Sequence, residues 1–144
     1  MIPKKMCDMF CGEKQSEYTS WAFLALRVVV AIAFIFHGWS KVSAMDGAIA
    51  MFSSMGVGTF MTYVAAYVEF LGGVALLLGV ATRLAGGLLA VFMLVAIYLV
   101  HFDKGYSMMN GGYEYQLLLL VSVIYFALAG PGEYSLHRKF CQKM

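Results

Sequence analysis

The chain has 144 residues, 62% of them hydrophobic and only 12% charged, with a formal net charge of +2. Its mean hydropathy is +0.79. No one-domain soluble protein keeps so many apolar side chains off its surface, so the composition excludes a water-soluble globule and makes the lipid bilayer the expected surroundings. So small a positive charge leaves no footprint for nucleic acid.

In chain order, a head of residues 1–20 carries Asp8, Glu13 and Glu17 and leads into a first apolar stretch at 21–40. Three more follow at 60–80, 83–101 and 113–130, each near the roughly 20 residues that cross a bilayer as a helix. Lipid offers backbone groups no hydrogen-bond partner, and four strands cannot close a barrel, so helices are expected. The predicted fold is all-α, an integral membrane four-helix transmembrane bundle over 21–132 followed by a tail at 133–144. The linker at 40–59 has room for a short interfacial helix at 48–55. "ATR" at 81–83 reads as a tight turn and "FDKGYSMMNGG" at 102–112 as a polar loop, while Gly130, Pro131 and Gly132 stop the last helix. "VSA" at 42–44 imitates a signal-peptide cleavage site. The apolar stretch before it is longer than an ordinary signal core and includes Arg27, so a retained first helix is expected.

Lys and Arg set the orientation. With the N-terminus in the cytoplasm, Lys4, Lys5, Lys14, Arg83, Arg138, Lys139 and Lys143 share that side, and only Lys41 and Lys104 lie opposite. Both termini are therefore expected to be cytoplasmic. This orientation sends His37, Lys41, Glu69, His101 and Glu114, from four different helices, toward the outer half of the membrane.

Glu69 interrupts the second apolar stretch. Its helical stripe runs through Thr62, Ala66, Gly73, Leu76 and Val80, small near the carboxylate, so Glu69 should face the bundle interior. A charge at that depth costs a few kcal/mol on insertion scales and needs a partner, a proton or a use. Arg27 is the expected partner, or else His37. Glu69 is then either half of a structural Arg27–Glu69 pair that fixes helix register or a working group.

The other candidates also have plain structural roles. His37 and His101 can in principle ligate a haem between the first and third helices, but interfacial hydrogen bonding is the commoner use and haem is disfavoured. Lys41 is expected to snorkel to the outer headgroups. Glu114 suits the N-terminal dipole of the fourth helix, and Arg83 is expected only to hold its turn in the cytoplasm. Cys7, Cys11 and Cys141 lack a metal or disulfide spacing and read as inert thiols, so no metal site is expected. The Tyr residues 98, 106, 113 and 115 cluster at the outer boundary, where they can shape the mouth of an apolar pocket.

Four separated motifs, "LRVVVAIAFIFHGWSKV" (26–42), "EFLGGVALLLGVATRLAG" (69–86), "GGYEYQLLLL" (111–120) and "GPGEYSL" (130–136), make the chain similar to the DoxX family of small bacterial four-helix inner-membrane proteins. The resemblance implies residence in a bacterial inner membrane. It carries over Arg27, His37, Gly38, Lys41, Glu69, Gly72, Gly73, Thr82, Arg83, Gly111, Gly112 and Glu114 as motif positions. The family takes its name from a subunit associated with thiosulfate:quinone oxidoreductase, and other members look like membrane partners in redox or thiol-stress complexes.

The preferred function is thus a membrane subunit of a redox complex with an outer-leaflet quinone-type pocket. There Glu69, His37 and His101 would do the chemistry, while Arg27, Lys41 and Glu114 would line the pocket or pair as ions. The competing function is a non-enzymatic anchor or scaffold that recruits partner proteins. A solute pathway would need a homo-oligomer. No flavin or nucleotide fingerprint is present, so electrons would come from a partner chain or a bound small molecule.

Overall fold

A computed structural model describes residues 17–138. Within these residues run the α-helices α1 (Glu17–Ser43), α2 (Met45–Ser54), α3 (Thr59–Leu78), α4 (Thr82–Ala96) and α5 (Glu114–Ala129). A π-helical turn, Ile97–His101, and a 3-10 turn, Phe102–Lys104, extend α4. The stretches Glu17–Ser43, Thr59–Leu78 and Thr82–Lys104 are long and apolar enough to cross a membrane. The expected fourth span is the shortest, for α5 has 16 residues and rises only about 24 Å. Its start is set by the loop before it, where Tyr113 and Glu114 donate their backbone N–H to the carbonyls of Gly105 and Tyr106. The short helix expected in the linker forms as α2 and begins three residues earlier than expected.

Helix ends follow local chemistry. Gly79 adopts φ 66° after α3, and the N–H of Val80 reaches back to the carbonyl of Ala75, a Schellman closure that a left-handed glycine permits. The same residue has a second constraint, because a Cβ there would lie 2.5 Å from the Ser135 side chain and 2.9 Å from the Arg27 guanidinium.

The helices alternate in direction. Along α1 and α3, Gly38 meets Phe70, Ala31 and Ile35 meet Gly73, and Arg27 meets Gly79. On α4 and α5, Gly86 meets Val123 and Ala127, and His101 meets Gln116. α1 packs chiefly on α3 and α4 on α5, with α3 and α4 joining the two pairs. Glycine or alanine at each crossing lets backbones approach where lipid supplies no hydrophobic drive.

Phe23, Phe34, Leu76, Leu89, Val123 and Phe126 form the centre of the core. Outside it, Val29, Ile32, Leu71, Leu84, Val91 and Leu118 are all exposed. An apolar exterior on every long helix is the surface of a protein solvated by acyl chains. Ser20 in α1 donates to Glu133, after α5, at 2.7 Å, so the two described ends lie together at one end of the bundle. α2 and the 102–113 loop lie at the other.

Candidate functional site

The carboxylate of Glu69 is 6% exposed, halfway along α3. Its Oε2 is paired with the ammonium of Lys41, from the last turn of α1. Glu69 also lines a cavity of about 70 Å³ between α2, α3 and α4, walled by Phe52, Met55, Met61, Ala65, Phe92 and Leu99 among others, and it is the only ionisable residue in that lining. Met61, Val95 and Leu99 belong to the exposed surface as well, so the cavity opens sideways toward lipid.

This arrangement corrects the expected pairing. Arg27 is 2% exposed and its terminal nitrogens are engaged elsewhere, while its Nε has no partner among the described residues. Its two terminal nitrogens donate to the carbonyls of Pro131 and Tyr134, the latter at 2.5 Å, so it clamps the segment after α5. Fourteen residues separate Arg27 from Lys41 on α1, about 21 Å along the axis. A shared stripe does not place both at the depth of Glu69. Lys41, expected at the headgroups, turns inward and keeps 18% of its side chain exposed.

The remaining candidates lie around this pair without entering the cavity. His37 is exposed, with its ring 6.1 Å from Tyr115 and 5.8 Å from Phe36. His101 sits in the π-helical turn with Nδ1 2.7 Å from the Gly111 carbonyl and Nε2 3.1 Å from the Gln116 amide. Both of its nitrogens are therefore engaged, and a haem would have to displace one of those contacts. Glu114 begins α5, as expected for a dipole-favoured carboxylate, and accepts the Met108 N–H at 3.1 Å. Histidine and glutamate together tie down the 102–113 loop. Cys7, Cys11 and Cys141 lie outside the described residues.

Three contributors escaped the sequence. The wall supplied by α2 carries no polar signal, Gln116 was read as part of an apolar helix, and the Pro131 and Tyr134 carbonyls belong to backbone, which residue identity does not advertise.

Fold and site together define a small polytopic α-helical membrane protein with a buried acid–base pair opening on an apolar, lipid-facing cavity. The sequence model of the DoxX family matches residues 22–102, and the chain belongs to that family. It is similar to a protein of Bacillus subtilis (strain 168) named "Putative oxidoreductase CatD", with 41% identity over 107 residues covering 74% of this chain and 78% of the relative. It is also similar to "Inner membrane protein YqjF" of Escherichia coli (strain K12), with 31% identity over 120 residues, 83% of this chain and 92% of the relative. A Haemophilus influenzae protein is 36% identical over 132 residues, 88% of this chain and 96% of its own. No solved structure matches. The chain is a bacterial inner-membrane protein.

Proposed function

We propose that the protein is a membrane subunit of a redox complex and that the lipid-facing cavity of about 70 Å³ beside Glu69 admits the carbonyl edge of a quinone-type ring, the rest of which stays in the bilayer. The observation that carries this reading is a buried carboxylate, paired with Lys41, that is the one ionisable group in the lining of an apolar cavity whose mouth faces lipid. Apolar walls exclude water, and the single convergent polar group orients a lipophilic ligand, the usual division of labour in small-molecule sites. A quinone, when bound, supplies two-electron, two-proton chemistry. Lys41 fixes the carboxylate, and Glu69 holds or hands over a proton at the cavity wall. His37 and Tyr115 lie just outside on α1 and α5, where a proton would leave toward the headgroups. The name of the Bacillus relative agrees with a redox role, and a partner chain supplies the electrons.

The test is to purify the protein in mild detergent and identify co-extracted lipophilic redox molecules by mass spectrometry. Wild type should carry a quinone. Glu69→Gln should accumulate normally yet retain at least about tenfold less, one hydrogen-bond-sized loss of affinity. A wild-type preparation free of quinone, or a Gln variant that holds as much, would overturn the pocket and favour a non-enzymatic anchor.

The orientation belongs to the same proposal, since it makes the cavity an outer-leaflet one. Ser20 and Glu133 put both described ends at one end of the bundle, and the basic residues favour the cytoplasm for that end. Reporters fused after Met144 should work only as cytoplasmic reporters, and cysteines placed at Asp46 or Lys104 should react with impermeant maleimide on intact cells. Labelling only after permeabilisation would reverse the orientation.

A further inference from the structure

At the end of the bundle opposite the Glu69 cavity, a second pocket of about 320 Å³ forms between the α3–α4 turn and the segment after α5. Its lining mixes Thr82, Arg83 and His137 with Val80, Leu84 and Pro131. None of these is acidic, and the nearby Glu133 is already held by Ser20 and Arg138. The first turn of α4 begins here, so backbone N–H groups and the positive end of the helix dipole add to two basic side chains. Thr82 lines the pocket and is 2% exposed; its hydroxyl has no partner among the described residues and lies just behind the wall, where a small shift of the first turn of α4 would bring it to a ligand. A buried hydroxyl in a pocket wall without a partner costs free energy unless something supplies one.

The pocket does not end at its polar floor. An apolar groove of about 280 Å³ runs along α3 and α4, sharing Ala81 and Leu84 with it and continuing past Ala75, Ala85 and Gly72 toward Tyr67. Small residues make its floor and leucines its rim. A cationic, hydroxyl-bearing pocket at the first turn of a membrane helix, continuous with an apolar channel directed along the bundle, has the two-part chemistry of a phospholipid. We propose that an anionic phospholipid binds here, with its phosphate at Thr82, Arg83 and the α4 N-terminus and one acyl chain in the groove. A free phosphate would use the polar floor alone and leave the groove without an occupant. Arg83 therefore does more than hold a turn on its own side of the membrane.

Native mass spectrometry of the full chain, exchanged into detergent with added phosphatidylglycerol, tests this. Wild type should retain one lipid through the activation that strips detergent, and inorganic phosphate in excess should not displace it. Thr82→Val keeps the shape and removes only an unpartnered hydroxyl. The lipid-free protein should be at least as heat-stable as wild type, while lipid retention falls about tenfold. Ala75→Phe fills the groove from the other side and should reduce retention by a similar factor, with a monodisperse elution profile showing that it has folded. Equal retention in both variants would overturn the assignment. So would displacement by inorganic phosphate together with indifference to Ala75→Phe, which would make this a small-anion site.

Discussion

Lys41→Met is expected to destabilise the protein by about 3 kcal/mol, the lower end of the range for breaking a buried ion pair, and to do more harm than Glu69→Met. The two halves of the pair do not have the same escape. Lys41 sits in the last turn of α1 with 18% of its side chain exposed, so without Glu69 its flexible stem can carry the ammonium out to the headgroups. Glu69 is 6% exposed, with an apolar cavity on one side and helix on the others. Without Lys41 its charge has nowhere to go but a proton taken up at a cost. Replacing both by Met should return stability to near wild type, because two buried apolar side chains need no partner. Arg27 and Glu69 share no contact, and their single-mutant effects should add within about 0.5 kcal/mol. Equilibrium unfolding in mixed micelles of the four members of each cycle measures this. Coupling between Arg27 and Glu69 with none between Lys41 and Glu69 would contradict the geometry. Recovered stability without recovered quinone binding in the Met–Met variant would separate the structural use of the pair from its functional one.

The sequence showed that Glu69 had to face inward but not which cation it would meet, and the reason is one of register. Periodicity fixes the face of a helix, and the stripe is buried at Thr62, Ala66, Gly73 and Leu76, while Val80, past the end of α3, is exposed. Depth depends on where each helix begins and ends. Taken as 21–40, the first helix puts Glu69 opposite residues between Arg27 and His37. In the structure it runs on to Ser43, and the crossing contacts bring Gly38 against Phe70, so Lys41 meets Glu69. Lys41 and the serines around it resemble an exit from the membrane, which is why the last turn of α1 was placed outside. Arg27 misled for the opposite reason: an intramembrane guanidinium invites a carboxylate, yet two backbone carbonyls after α5 take its terminal nitrogens instead. The all-α membrane fold, three of the four expected spans and the short helix in the linker were legible because each rests on composition within one segment, whereas α5 came out shorter than a full span. The cavity was not, because its walls are ordinary apolar residues of three helices.

Gly38→Ala, a change of one methyl group, is expected to cost as much as removal of the ion pair. The new Cβ would lie 2.3 Å from the backbone nitrogen of Phe70 and 2.6 Å from its Cα. No rotamer change can move backbone aside, so α1 and α3 must part by roughly 1 Å to restore ordinary contact. Against that stands a gain of about 0.5–1 kcal/mol from replacing glycine inside a helix, while overpacking a tight core costs about 1–3 kcal/mol and sometimes more. The clash wins, and its position decides what else is lost. Gly38 lies one turn before Lys41, and Phe70 directly follows Glu69, so the helices would open where the ion pair spans them. Gly87→Ala is the control, because a Cβ there meets nothing within 4 Å, and that variant should be as stable as wild type or slightly more so. In the Gly38→Ala background the further change Lys41→Met should cost well under its wild-type penalty, since a parted pair has little left to lose. Thermal unfolding in detergent of Gly38→Ala, Gly87→Ala and Gly38→Ala/Lys41→Met reads all three expectations. A full Lys41→Met penalty in that background would mean that the pair survives the widened crossing and that the close approach at Gly38 does not hold Lys41 against Glu69.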